Sequence, residues 1–175
     1  MPSLTRPVSN VRVSYLAALD EFRQEGRLGD DDATGLAYEA RELAEEPDFA
    51  RYVVAQRDRA EEQGRRPDGW VPDTLLWFVD ADEWIGRLDI RHRLTPALLE
   101  AGGHIGYDVR PSMRRRGYAT QMLHDALPIA ASLGINPALL TCNVTNVPSR
   151  KVIEANGGML EDQRGEKLRF WVKTV

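Results

Sequence analysis

The residues best suited to chemistry lie between Val109 and Thr120, where an apolar run ends in Val109-Arg110-Pro111 and a helix-like pattern starts after Gly117. Between them stand Arg114, Arg115 and Arg116, the only dense positive cluster in the chain. The first N–H groups of a helix have no partner inside it and point outward, so a strand–turn–helix junction offers a row of donors to an anion. Gly117 lets the backbone approach that anion with no Cβ in the way, and Ala119 keeps the next turn small. Arginine side chains add charge-assisted hydrogen bonds suited to phosphate oxygens. A plain basic helix cap on the surface would look the same, and this segment alone leaves both readings open.

These groups need a scaffold, and the chain's patterning predicts one of α+β type. Ser9 or Asn10 caps a helix whose apolar face runs Val11, Tyr15, Leu16, Leu19 and Phe22 and ends at Gly26. An acidic loop, Gly29–Thr34, leads into helices over Gly35–Glu46 and Pro47–Gln63, with Pro47 in the first turn of the second. Thr74–Asp80 and Trp84–Arg93 read as a β-hairpin, Thr95–Glu100 as one helical turn and Gly102–Arg110 as a further strand. Met113–Leu133 has helical spacing, with Pro128 expected to kink or shift it. Then come a strand at Ala138–Asn143, a helix at Val147–Asn156 stopped by Gly157–Gly158, and a hairpin of Met159–Gln163 with Leu168–Lys173 around Arg164–Gly165. The order implies a mixed, mostly antiparallel sheet flanked by helices, with one parallel step across the helix after Arg110. If Trp84–Arg93 pairs with Gly102–Arg110 about Pro96–Leu99, His92 and His104 face each other or nearly so. Two close imidazoles resist joint protonation, which keeps one neutral near pH 7 and competent as a base.

Composition narrows the classes. The 175 residues suit one domain, 1–175, with a helical N-terminal part over 1–72 and a sheet-bearing part over 73–175. The apolar fraction of 42% and charged fraction of 29% belong to an ordinary globular protein. No run reaches the length of a membrane span, and Met1–Asn10 lacks the apolar core of a signal peptide, so a cytoplasmic location is expected. Cys142 is the sole cysteine, which excludes an internal disulfide and a cysteine-built zinc site. Arginine supplies nearly all the basic side chains, the first lysine being Lys151, a bias suggesting a GC-rich bacterial coding sequence. Acids outnumber bases 15 to 10 up to residue 70, which is compatible with a cationic acceptor molecule. Trp70, Trp77 and Trp84, with Tyr38, Phe49 and Tyr52, are candidate walls for its pocket, although most of them are expected to be simply core.

Arg114-x-x-Gly117-x-Ala119 after a strand resembles the pyrophosphate-binding signature of the GNAT superfamily of N-acetyltransferases, Gln/Arg-x-x-Gly-x-Gly/Ala. Asn146-x-x-Ser149-x-x-Val152-Ile153-Glu154-x-x-Gly157-Gly158 resembles that superfamily's second cofactor segment, and the run Gly103–Thr120 is similar to a bacterial subgroup of predicted acetyltransferases. The resemblance covers Leu75–Val175 well and the N-terminal third only loosely. It implies a GNAT-like acyl-CoA N-acyltransferase fold in which Gly102–Val109 and Ala138–Asn143 run parallel but splay apart. It further implies acetyl-CoA as co-substrate, with no metal. The pantetheine amides would pair with the backbone of Tyr107 and Val109, and the pyrophosphate would lie on the amides of Arg115, Arg116, Gly117, Tyr118, Ala119 and Thr120 beside Arg114. Asn146 and Ser149 would face the pantetheine arm, and Arg150 or Lys151 would reach the nucleotide phosphates.

The implied reaction is direct attack of a primary amine, on a small molecule or a peptide, upon the thioester in a ternary complex, with an oxyanion held by a backbone N–H near Tyr107–Val109. His104 lies near a position where relatives carry a catalytic glutamate, and His92 is the second candidate base. Many relatives place a proton-donating tyrosine where this chain has Ile153, which leaves Ser149, a water, or departure of the thiolate without a proton donor; by strand count Tyr107 and Tyr118 point elsewhere. Cys142 as a nucleophile would need an activating neighbour that the sequence does not show. The rival reading is a CoA-binding module that has lost catalysis and acts as a sensor or partner-binding subunit. Nucleic-acid binding through Arg114–Arg116 lacks an aromatic stacking platform. Lookalikes are often homodimers.

Overall fold

Side chains on a strand alternate between its two faces, and in the segment Asp73–Asp80 both faces are apolar, so this strand must be covered twice. Leu75 and Trp77 pack with the N-terminal helices, while Leu76 and Phe78 pack with the C-terminal half. The computed structural model describes all residues, Met1–Val175. Its elements are β1 (Ser3–Thr5), α1 (Arg12–Gln24), α2 (Gly35–Glu45), α3 (Phe49–Asp58), β2 (Asp73–Asp80), β3 (Glu83–Arg91), α4 (Pro96–Glu100), β4 (Ile105–Val109), α5 (Tyr118–Ser132), β5 (Ala138–Asn143), α6 (Val147–Ala155), β6 (Met159–Arg164) and β7 (Lys167–Val172). No helix is long and apolar enough to cross a membrane.

The strands form two antiparallel sheets, in the orders β1-β2-β3-β4 and β5-β7-β6. One core lies between the first sheet and α1–α3 and holds Tyr15, Phe22, Tyr52, Trp77 and Trp84. The other joins both sheets through α5 and α6, with Leu88, Met122, Leu140, Ile153 and Phe170 among its members. The expected parallel step is not a ladder. β4 and β5 touch through a single antiparallel bridge, Gly103 to Leu140, and otherwise belong to different sheets.

Several boundaries differ from the sequence reading for local reasons. β1 is too short to register in a pattern, yet it extends the first sheet by pairing with Trp77–Val79. Neither Ser9 nor Asn10 caps α1; Asn10 instead donates to the Ala81 carbonyl and ties the helix entry to the β2–β3 turn. Asp48, not a turn begun at Pro47, caps α3 by accepting from Ala50 and Arg51. α5 begins only after the basic turn and continues through Pro128.

Gly103 marks where the sheets meet. It has φ +63°, and a Cβ there would lie 2.3 Å from the Leu139 carbonyl oxygen. Gly103→Ala is therefore expected to destabilise the fold by about 2–4 kcal/mol, combining left-handed strain with overpacking, measurable by urea unfolding.

Candidate functional site

The turn before α5 carries an unfilled set of donors. None of the six amide N–H groups from Arg115 to Thr120 has a partner within the protein; the first satisfied one is Gln121, bonded to the Gly117 carbonyl. Arg115 at φ 62° and Gly117 at φ 80° bend the chain so that the helix start opens onto a cavity of about 610 Å³. Two acids at the end of α1 brace this turn. Glu21 accepts from the Ser112 N–H at 2.9 Å and from Arg110 at 2.7 Å. Glu25 takes both terminal nitrogens of Arg114, whose Nε donates to the Val109 carbonyl.

The predicted cationic residues thus separate by role. Arg115 lines the cavity with its backbone row. Arg114 lines it too, but its guanidinium clamps the turn to α1. Arg116 is exposed and reaches only toward the Ser112 carbonyl. Arg150 pairs with Glu154 along α6, outside the cavity.

A second cavity, about 470 Å³, lies between the first sheet, the start of α2 and the strand β5. Tyr107, Asp108, Asn146 and Ser149 line both, so the two spaces meet at that wall. The register places Arg91 opposite His104 and Gly86 opposite Val109; the Arg91 N–H donates to the His104 carbonyl and the Arg110 N–H to the Ile85 carbonyl. In an antiparallel pair such bonding alternates, so the backbone groups of Tyr107 and Val109 turn away from β3 toward the gap beside β5. The Tyr107 hydroxyl meets Ser149 Oγ at 2.8 Å, and burial pushes its pKa up to about 12. This corrects the strand-count expectation that Tyr107 points elsewhere. Asn146 holds Ser149 by accepting its N–H at 3.2 Å. Ile153, in place of the family's tyrosine, is buried in the core.

Arg87, Asp89 and Arg91 alternate along β3 and form the charged floor of the smaller cavity. Glu39 of α2 lies 2.6 Å from Arg87, Asp89 lies 2.8 Å from Arg87 and 3.1 Å from Arg91, and Arg59 grips Asp73 through two nitrogens. Burial opposes the charge on Asp89, yet Arg91 and Arg87 hold its carboxyl below the usual range. Burial pushes Glu39 up, against the pull of Arg87 and Arg59. Asp108, opposite Arg87, is held by Arg27 at 2.9 Å. Sequence reading missed this group. The alternation Arg87-Leu88-Asp89-Ile90-Arg91 was its signal, normally the mark of a solvated face.

The two histidines do not form the expected pair. The register is displaced by one residue, so His104 faces Arg91 and His92 falls on the opposite side of the sheet. His92 Nε2 meets Thr74 Oγ1 at 2.8 Å, and His104 Nδ1 accepts from the Leu139 N–H at 2.9 Å. Burial lowers both pKa values, for His104 with help from Arg91. Neither lines either of these two cavities. Cys142 does line the smaller one, but burial raises its thiol pKa. Of the candidate aromatic walls, Trp70 lines that cavity with Tyr38 packed 5.3 Å behind it. Phe49, Tyr52, Trp77 and Trp84 are core.

The family described as "Acetyltransferase (GNAT) domain" matches residues 27–159. No curated protein matches the sequence. The fold is similar to Mycobacterium smegmatis RimJ, solved in complex with CoA-disulfide, at a TM-score of 0.65 and 21% identity over 98% of this chain and 81% of that one. It is similar also to the Salmonella typhimurium acetyl transferase that modifies the N-terminal serine of ribosomal protein L7/L12 (TM-score 0.57, 16% identity, 97% and 92% coverage). Campylobacter jejuni N-acetyltransferase PseH, in complex with acetyl coenzyme A, gives a TM-score of 0.55 at 11% identity, covering 99% of both chains.

The loop that sets the start of α2 depends on Asp32, whose carboxylate accepts from the Leu28 and Thr34 amides. Burial opposes its charge, but hydrogen bonds from Thr34 and Leu28 hold its pKa at about 2. A depressed carboxyl stabilises the fold above its unfolded value of 3.8 and loses that contribution as pH falls toward about 2. Asp32→Asn should lower stability by about 2 kcal/mol at pH 7, the gap to the parent closing as pH falls from about 4 to about 2 in unfolding titrations.

Proposed function

The chain belongs to the GNAT acetyltransferase family, and we propose that it moves an acetyl or other short acyl group from acetyl-CoA to a primary amine by direct attack in a ternary complex. The whole chain acts as one catalytic domain, with residues 1–72 shaping the acceptor side. The observation that carries this reading is the meeting of two cavities at Tyr107, Asp108, Asn146 and Ser149, one of them floored by the unpaired amides of Arg115–Thr120.

Those amides suit a pyrophosphate, since they are consecutive, unsatisfied and at the positive end of a fifteen-residue helix. Tyr107 and Val109 offer backbone groups to an extended amide-bearing arm as a neighbouring strand would. Bound this way, acetyl-CoA supplies a thioester already activated for acyl transfer. The larger cavity then belongs to the cofactor and the smaller to the amine.

Attack requires an amine stripped of its extra proton. Asp108 is the carboxylate on the shared wall, and we assign it the role of accepting that proton, directly or through a water. His92 and His104 are bonded elsewhere and carry no proton in this scheme. Ser149 Oγ, paired with the Tyr107 hydroxyl, hands a proton to the departing sulfur, the part that the family's tyrosine plays and Ile153 cannot. The buried Cys142, with its raised thiol pKa, favours direct transfer over an acyl-enzyme.

Gly117→Asp should weaken CoA binding at least about tenfold in calorimetry, because the carboxylate meets the anion site and φ +80° favours glycine. Asp108→Asn should lower kcat by about a hundredfold with CoA affinity retained, and Ser149→Ala should act in the same direction. Unchanged turnover in Asp108→Asn would remove it from the mechanism.

A further inference from the structure

The smaller cavity contains hydrogen-bond donors that nothing in the protein satisfies. Thr34 caps α2 and takes the Ala37 N–H on its side chain and the Tyr38 N–H on its carbonyl, which leaves the Gly35 and Leu36 N–H groups without acceptors. Both residues are buried. Arg87, only 2% exposed, lies across the same helix end. Its Nη2 has no hydrogen-bond partner and stands 2.8 Å from where a Cβ on Gly35 would sit. The rest of that guanidinium faces carboxylates, with Nε 2.6 Å from Glu39 and Nη1 between Asp89 at 2.8 Å and Asp108 at 3.6 Å.

Buried donors normally find acceptors, and a lone unsatisfied guanidinium edge against a helix N-terminus calls for an oxyanion. Arg27 adds positive charge at the same place by donating to Thr34 Oγ1, and the acids facing it, Asp32 and Asp108, are already paired with that arginine. We infer that the acceptor carries a carboxylate beside its amine, and that the Gly35 and Leu36 amides with Arg87 Nη2 bind it. Because Nη1 of the same guanidinium approaches Asp108, amine and carboxylate stand close together, as in an α- or β-amino acid or an acidic N-terminal residue of a peptide. The inference rests on the smaller cavity being the acceptor side.

The experiment compares acceptor pairs that differ only in this group: alanine against alaninamide, β-alanine against its amide, and peptide amides beginning with Asp against those beginning with Asn. The carboxylate member of a pair should show a kcat/KM at least about tenfold higher, the scale of one charge-assisted hydrogen bond. The free amino acids and the peptides report which source the site prefers. Gly35→Ala, which fills the spot with a methyl group, should bring the ratio to about one, and a CoA titration checks that this variant is folded. Equal use of both members, or a ratio that survives in Gly35→Ala, would overturn the inference while leaving the proposed reaction intact. Calorimetry of the parent protein with N-acetylalanine against N-acetylalaninamide needs no turnover. Tighter binding of the acid, with no amine acylated, would support the carboxylate site and sink the reaction. No preference there, with no amine acylated, would remove both.

Discussion

Strand β4 is hydrogen-bonded along one edge only. β3 bonds the even-numbered residues from Gly106 to Arg110 and the His104 carbonyl, while β5 takes the His104 N–H on Leu139 and leaves after the bridge between Gly103 and Leu140. An open strand edge inside a protein is a liability unless something occupies it. Here the opening joins the space under the start of α5 to the space under the start of α2. Every candidate functional group is positioned relative to that edge. Tyr107 and Val109 present their backbone to it, Ser149 reaches it from α6, and Asp108 marks the point where the cavities join.

The N-terminal helices are not attached by apolar contact alone. Tyr15, Trp77 and Trp84 supply the packing. Beside them, Glu39, Arg59, Asp73, Arg87 and Asp89 form a buried set of opposite charges. Removing one member of such a pair strands its partner and costs about 3–5 kcal/mol, whereas replacing both with packed apolar residues is often neutral. That asymmetry sets the orientation of α2 against β3 more sharply than hydrophobic burial, which has no direction. It also keeps a charged floor, Arg87, Asp89 and Arg91, under the smaller cavity.

The turn proposed to hold the cofactor is legible in the residues because it is local. A strand end, a proline, three arginines and Gly117 follow one another, and so do Asn146 and Ser149; β5 matches its expected limits. What escaped depends on residues far apart in the chain. Arg114 reads as a phosphate ligand, whereas its guanidinium is held by Glu25, just past the end of α1. His92 and His104 looked like partners, but the connection through α4 displaces the register by one residue, and on a strand one residue reverses the face. The stripe Arg87-Asp89-Arg91 went unread because its counter-charges, Glu39 and Arg59, belong to helices that no local pattern assigns to that face. Tyr107 was credited with its backbone only, since its hydroxyl's partner lies on α6.

Arg27 touches more than one of these parts. It lines the larger cavity, donates to Thr34 at the head of α2, and pairs with Asp108 at the shared wall. An occupant of either space that draws on Asp108 or on the α2 terminus changes what this one side chain can do for the other. Linkage then works equally in both directions: the factor by which CoA alters acceptor affinity is the factor by which the acceptor alters CoA affinity. Under the proposed assignment of the two cavities, Arg27 is the side chain through which the two ligands are coupled.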